Sequence, residues 1–337
     1  MGETSGMDAA PNVPWDSAAH GVVYDYPNVE AFIATPRIRS GVHRIGIPDS
    51  PPVEIFARGI DGLQGALGRL DARASARLGA HRGFLPCFFT AATTEREGTS
   101  GPYFTGLHIQ LNPLAPMIAV ADPLLAHDPD VRIGWYTGLP RTGAQAIIAK
   151  ALAHISAAVR RPLLAVGGSG GGFAAILYAS LLSEPVITGS QIAARSGAFV
   201  WNPQVSITDY TFVQPYLDVM FPENVGVHGT QAAKLLSASG VTHDLRELPL
   251  PRRLLYIQNQ SDDDHIVNHA QPYREAYPFR ELGEGLYAAS PKQLMIVADY
   301  GDGHAPLPRP VMRLLLSTLK RGAPVPRNVK EMLEGAR

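Results

Sequence analysis

Hydrophobic residues fall into two kinds of run that alternate along the chain from about residue 84. Short, continuous apolar runs are typical of strands buried on both faces, and longer runs with helical spacing are typical of helices. The short runs predict strands at 84–91, 117–121, 163–166, 197–201, 254–257 and 294–298. The longer runs predict helices at 144–159, 173–182, 211–220, 230–239 and 311–320. This alternation predicts an α/β fold with a mostly parallel, doubly wound sheet.

The first 83 residues have a different pattern. Their apolar runs are short, are separated by prolines and have a β-like texture; they lie at 22–24, 29–34, 42–47 and 53–56. These runs form either a small β-rich module or antiparallel edge strands of the main sheet. Residues 60–80 have helical spacing, although four glycines in this stretch weaken the prediction of a helix.

These patterns divide the chain into four parts. The predicted parts are a flexible lead-in at 1–19, a β-rich segment at 20–83 that packs on or extends the main sheet, the α/β domain at 84–320 and a C-terminal tail at 321–337. Within the α/β domain, residues 202–250 interrupt the alternation with an aromatic-rich stretch. That interruption predicts a cap insertion.

Composition limits the class of protein. With 45% hydrophobic and 18% charged residues, the 337-residue chain can bury a large core. A net charge of -1 without long basic runs argues against nucleic acid or an anionic membrane surface as a partner. The N-terminus does not resemble a signal peptide and no apolar run is long enough to span a membrane, which predicts a cytoplasmic protein. The single cysteine, Cys87, predicts a buried thiol and excludes a cysteine-based zinc site.

One serine lies where a predicted strand meets a predicted helix. The segment Gly167-Gly168-Ser169-Gly170-Gly171 matches G-x-S-x-G, the pattern of a nucleophile elbow. A chain this rich in glycine contains the pattern by chance about one time in six, so its position between strand and helix is what gives it weight. Phe173 stands where a phosphate-binding loop needs a lysine and where a dinucleotide fingerprint needs its third glycine. The remaining alternative is a plain glycine-rich turn.

An activated serine needs a base and a group that orients the base. His304 follows the last predicted strand in a glycine-rich loop, where a parallel sheet places reactive groups, although a solvated loop histidine is the alternative. The preceding strand leads into three successive carboxylates, Asp262, Asp263 and Asp264. Because adjacent carboxylates repel one another, most of the three are expected to face water. His265 is expected to be a surface or loop-packing residue.

The elbow, the acidic loop and the histidine loop, in that order on an alternating chain, resemble the α/β-hydrolase superfamily over about residues 84–320. The resemblance implies that Ser169 is the nucleophile, His304 the base and one of the three aspartates the acid. Asp262 is favoured, with Asp263 and Asp264 as alternatives, because in this family the acid commonly lies three residues after the turn that ends the strand.

The same resemblance implies an oxyanion hole formed by the backbone N–H of Gly170 and a second N–H around Ala91 or Ala92. The His-Gly dipeptide often found at that second position is absent here. Three successive glycines at 170–172 predict exposed amides on the first helical turn and a broad site. Aromatic candidates for the substrate pocket are Trp201, Tyr210, Tyr216 and Trp135, each of which also fits a packing role.

The sequence therefore predicts a serine hydrolase that acts on an ester or thioester through an acyl-enzyme on Ser169. The alternatives are a serine peptidase or acyltransferase on the same scaffold, and a non-catalytic binding or assembly protein. We expect a small-molecule or acylated substrate, no metal and no organic cofactor. The sequence does not decide between a monomer and a homo-oligomer.

Overall fold

The computed structural model describes residues 21–65, 83–94, 96, 101–109, 112, 114–184 and 189–337. The predicted lead-in at 1–19 and most of the helical pattern at 60–80 lie outside these ranges.

The described residues form one 11-stranded sheet with the order β1-β2-β3-β5-β4-β6-β7-β8-β11-β10-β9. The strands are β1 (Val23–Tyr26), β2 (Gly41–Ile47), β3 (Ser50–Arg58), β4 (Leu85–Phe89), β5 (Met117–Val120), β6 (Leu163–Gly168), β7 (Gly197–Trp201), β8 (Leu254–Asn259), β9 (Arg280–Gly283), β10 (Leu286–Ser290) and β11 (Gln293–Ala298). From β5 through β11 the central neighbours pair in parallel. The prediction of a mostly parallel α/β sheet is confirmed.

Helices cover both faces of the sheet. The described α-helices of five or more residues are α1 (Val29–Ile33), α2 (Asp61–Gly65), α3 (Ala144–Val159), α4 (Ser169–Ser183), α5 (Gln214–Met220), α6 (Gly229–Ala238), α7 (Gln271–Ala276), α8 (Arg309–Leu319) and α9 (Val329–Glu334). Successive residues of β4 point to opposite faces: Cys87 lies in the core beneath α3 and α4, and Phe88 lies in the core beneath α8. Because both faces are buried, the central strands read as continuous apolar runs. No described helix is both long enough and apolar enough to cross a membrane.

The N-terminal strands lie in the main sheet. β3 pairs antiparallel with β5, β2 pairs antiparallel with β3, and β1 pairs parallel with β2. The β-like interpretation of 29–34 is wrong, because this run forms α1. Oδ1 of Asn28 accepts a hydrogen bond from the N–H of Ala31 at 2.9 Å, and Val29 and Phe32 share the buried face of the helix.

The hairpin of β9 and β10 was absent from the sequence prediction. All residues of β9 are exposed and those of β10 are half-buried, so neither strand carries a continuous apolar run. The predicted tail at 321–337 contains α9, which packs Val329 and Leu333 into the core.

The chain order reverses beside β6. It passes from β4 to β5 on one side, then crosses to β6 on the other side of β4. Ligand sites of open α/β sheets lie at the carboxyl ends of strands at such a switch point. This topology therefore places the crevice between the ends of β4 and β6, where Ser169 lies.

Candidate active site

Ser169 lies at the turn where β6 ends and α4 begins. Its φ is +51°, in the left-handed region that costs a non-glycine residue about 1–3 kcal/mol. A Cβ on Gly167 would lie 2.2 Å from the carbonyl oxygen of Gly171, and a Cβ on Gly171 would lie 2.4 Å from that of Phe89. The two flanking glycines therefore allow β4, β6 and α4 to meet around the serine.

The other glycines of the turn are also covered by neighbouring side chains. A Cβ on Gly170 would lie 1.8 Å from Cδ1 of Ile133, and a Cβ on Gly172 would lie 2.6 Å from Cβ of Pro203. The prediction that this helical turn is bare is therefore wrong, whereas the breadth of the site stays a prediction. Without side chains of its own, the turn lets the surrounding segments approach it closely.

His304 lies in the loop after β11, and its Nδ1 is 2.6 Å from Oδ2 of Asp262, which follows β8. Asp262 is buried, whereas Asp263 and Asp264 are exposed. The side chain of Asp264 instead accepts a hydrogen bond from Asn268 at 2.9 Å. Of the three successive carboxylates, Asp262 is thus the one that the fold places against the histidine.

Two opposing effects act on the Asp262 carboxyl. Burial raises its pKa, but hydrogen bonds and charge interactions with His265 and His304 outweigh burial and hold the pKa well below its usual value. The carboxylate is therefore ionised at neutral pH. An ionised acceptor at Nδ1 fixes the ring of His304 and leaves Nε2 to exchange a proton with a nucleophile.

His265 contacts the Asp262 carboxylate directly, which goes beyond the surface or loop-packing role expected from the sequence. Its side chain is buried, its Nδ1 lies 3.3 Å from Oδ1 of Asp262, and its ring centroid is 4.2 Å from that of His304. Its backbone N–H also donates to the same Oδ1 at 3.4 Å. Both oxygens of Asp262 are therefore held, one by each histidine.

Two asparagines tether the histidine loop to the sheet. The side-chain amide of Asn259 donates to the carbonyl oxygens of Gly301 and Gly303, both at 2.7 Å. The amide of Asn202 donates to the carbonyl of Ala305 at 2.9 Å. Because the loop is rich in glycine, these contacts help the hydrogen bond to Asp262 to restrict the position of His304. Sequence reasoning missed Asn202, because its contacts bridge segments far apart in the chain.

The serine, the aspartate and the histidine follow one another along the chain, each at the carboxyl end of a parallel strand, with the serine on a strand-to-helix elbow. That order and placement are those of the α/β hydrolases. The chain has the α/β-hydrolase fold.

No protein-family model and no curated protein matches the sequence. The solved structures that are similar to it at low identity include the following three. A capsule O-acetyltransferase of Neisseria meningitidis serogroup A is 14% identical with a TM-score of 0.42, over 72% of this chain and 83% of that one. MPT51 of Mycobacterium tuberculosis is 11% identical with a TM-score of 0.40, over 85% of this chain and 100% of that one. An α/β hydrolase from Sphaerobacter thermophilus is 14% identical with a TM-score of 0.34, over 71% and 93%.

The predicted oxyanion donors of this α/β-hydrolase fold lie close to the elbow. The N–H of Gly170 is in the first turn of α4, where helical N–H groups have no partner within the helix. A Cβ on Gly171 would lie 3.1 Å from the carbonyl carbon of Thr90, so the chain segment that leads into Ala91 and Ala92 lies against the same turn.

The four aromatic pocket candidates separate into two groups. Trp135 and Tyr216 are fully buried and stack edge-to-face with ring centroids 4.9 Å apart, so they offer no surface to a substrate here. Tyr210 is half-buried against Trp135, and Trp201 is half-buried over Gly168. Tyr210 and Trp201 remain the candidates with surface available to a ligand.

Among the described residues, one group of side chains brings metal-ligating atoms together: Asp262, His265 and His304, whose atoms lie within 4.8 Å of one another. The hydrogen bonds from the two histidines to the carboxylate account for this proximity. We assign no metal to the group.

A buried carboxylate holds the loop that carries Trp135. Oδ2 of Asp122 accepts hydrogen bonds from the N–H groups of Gly134 at 2.8 Å and Tyr136 at 3.3 Å, and Oδ1 accepts from that of Leu124 at 3.2 Å. Trp135 and Tyr136 have φ values of +47° and +60°. Each such residue costs about 1–3 kcal/mol, which the contacts to Asp122 offset.

We expect Asp122→Asn to destabilise the fold by about 1–3 kcal/mol at pH 7, because in either orientation the NH₂ group of the asparagine would face an N–H donor, that of Leu124 or those of Gly134 and Tyr136. Burial raises the pKa of Asp122 to about 6, against the hydrogen bonds that lower it. Because the pKa of Asp122 is higher in the folded state than its unfolded value of about 4, this carboxyl contributes a stabilisation that is fully present below about pH 4. That stabilisation is lost as the pH rises through 6. Urea unfolding should therefore show that the difference in unfolding free energy between wild type and variant becomes smaller by about 2–3 kcal/mol between pH 4 and pH 7. A gap that widens with pH would contradict the raised pKa.

Proposed function

We propose that this protein is a serine hydrolase that cleaves carboxylic esters or thioesters through an acyl-enzyme on Ser169. The observation that carries the proposal is the placement of three groups at the carboxyl ends of parallel strands of one sheet, with two of the groups in direct contact. Ser169 stands on a strained elbow after β6, Asp262 follows β8, and His304, with its Nδ1 2.6 Å from Oδ2 of Asp262, lies in the loop after β11. Geometry of this kind supports acyl transfer by a serine nucleophile.

In the first step, Nε2 of His304 takes the Ser169 proton while Oγ forms a bond to the carbonyl carbon of the substrate. The π electrons move to the carbonyl oxygen, which the N–H of Gly170 stabilises. The histidine then returns the proton to the leaving alcohol or thiol as the tetrahedral species collapses. Water then adds to the acyl carbon as Nε2 of His304 takes its proton, and the bond from the carbon to Oγ breaks as the histidine returns that proton to Oγ, which releases the acid and restores Ser169. Asp262 keeps the imidazole in the required tautomer throughout.

The proposal is tested with a fluorophosphonate probe, which reacts with activated serines. We expect the wild type to be labelled at Ser169 and to hydrolyse p-nitrophenyl esters. Ser169→Ala should lose labelling and lower kcat by about 10⁴-fold or more, because the nucleophile is removed. Peptide mapping of the labelled protein and ester kinetics give the two measurements.

Ser183→Ala is the matched control, since Ser183 lies at the other end of α4 and its hydroxyl donates to the carbonyl of Ala179. It should keep both labelling and turnover. A wild type that is not labelled, or a Ser169→Ala variant labelled equally well, would exclude the catalytic serine. Running peptide anilides, thioesters and an acceptor alcohol beside the esters separates hydrolase, peptidase and acyltransferase activities.

A further inference from the structure

A buried glutamine that no sequence motif marks faces the candidate nucleophile. Gln204 is 0% exposed and lies three residues after the end of β7. Its backbone N–H donates to the carbonyl of Ser169 at 3.1 Å, and its side-chain Nε2 lies 3.5 Å from Oγ of the same serine. The glutamine is therefore attached to the elbow through both its backbone and its side chain.

The orientation of this side-chain amide is set by Trp135. The indole Nε1 lies 2.6 Å from Oε1 of Gln204. An indole N–H only donates, so the atom that it contacts must be the amide oxygen. The NH₂ group therefore points to the serine, and a flipped amide would place two donors against each other.

The amide also lies beside the first oxyanion donor. A Cβ on Gly170 would lie 3.3 Å from Oε1 of Gln204, so the amide passes over the residue whose N–H faces the developing charge. Trp135, which fixes the amide, is itself held in a left-handed backbone conformation by the contacts of its loop to Asp122. A chain of contacts thus runs from a buried carboxylate to the nucleophile.

We propose that Gln204 is a catalytic residue, whose amide donates a hydrogen bond to the oxygen that becomes negative in the transition state. The inference rests on the proposed acyl-enzyme at Ser169. When Oγ bonds to the carbonyl carbon, the new oxyanion and Oγ are bonded to the same atom, so a donor within reach of one lies near the other. No proton leaves Gln204; the serine proton goes to His304. The amide adds a side-chain donor to the backbone N–H of Gly170.

The test compares Gln204→Glu and Gln204→Met with the wild type. The glutamate keeps an acceptor for the Trp135 indole but loses the donor, and methionine has a similar length without either group. For p-nitrophenyl acetate we expect kcat to fall by about 10²- to 10³-fold in both variants, as for loss of one oxyanion donor, with KM changed less than about threefold.

Affinity for an alkylboronic acid, which adds to a serine oxygen as a tetrahedral anion, should fall by the same factor as kcat/KM, since it resembles the transition state. Gln145→Met is the matched control: this buried glutamine bonds to the backbone of Thr242, away from the elbow. It should lower the melting temperature without lowering kcat.

The outcomes separate the inference from the proposed function. If the wild type turns over esters at Ser169 but both Gln204 variants keep kcat and boronate affinity within about threefold, Gln204 is structural and the hydrolase proposal stands. If Gln204→Glu stays near wild-type activity while Gln204→Met does not, the glutamine acts by supporting Trp135 and the donor role is wrong. If the wild type neither reacts with fluorophosphonate nor cleaves esters, both proposals fall.

Discussion

Asp262→Asn should lower kcat for ester hydrolysis by about 10⁴-fold while leaving the protein folded. The carboxylate accepts from Nδ1 of His304 at 2.6 Å and so selects the tautomer whose Nε2 takes a proton. An asparagine offers that nitrogen either a donor, which selects the wrong tautomer, or a weaker neutral acceptor. The measurement is kcat with p-nitrophenyl esters, beside circular dichroism to check the fold.

Asp263→Asn and Asp264→Asn are the matched controls, because they neutralise the same charge on the same loop. Both side chains are exposed, and Asp264 bonds to Asn268 rather than to His304. We expect each to keep kcat within about twofold. A loss of activity at Asp263 or Asp264 equal to that at Asp262 would mean that the loop's net charge, and not one carboxylate, supports the histidine.

Gly167→Ala should destabilise the protein by about 3 kcal/mol or more and abolish turnover. The new Cβ would lie 2.2 Å from the carbonyl oxygen of Gly171 and 2.9 Å from the backbone nitrogen of Gly172. Both are backbone atoms, so relief requires β6 and α4 to move apart, which displaces the serine between them. Urea unfolding and ester kinetics measure the two effects.

The control for this substitution is Gly283→Ala in β9, where no atom lies within 4 Å of the added Cβ and φ is not positive. Its unfolding free energy should stay within about 0.5 kcal/mol of the wild type. If Gly167→Ala behaves like this control, the close contact at the elbow does not constrain the turn.

Much of the fold follows from local pattern. The central strands are buried on both faces, so each reads as a short apolar run, and α3 was predicted at the bounds it has, Ala144–Val159. The sequence also predicts the elbow, because the close approach of strand and helix permits only glycine at 167 and 171. The sequence pattern does not predict the exposed hairpin of β9 and β10, since exposed strands need no apolar run. It does not predict α1 either, because the short apolar run of this helix has the same pattern as a short strand.

The sequence by itself determined the central strands of the sheet, the elbow and the two loops that carry the acid and the histidine. It did so because burial and backbone geometry restrict residue types locally. Only the tertiary structure decided which of three carboxylates faces His304, that Trp135 is buried and so offers no surface to a substrate, and that Gln204 faces Ser169. Trp135 and Gln204 are 69 residues apart and meet because the sheet order brings their segments together over the elbow. A hydrogen bond between distant segments depends on that order, and no local pattern encodes it.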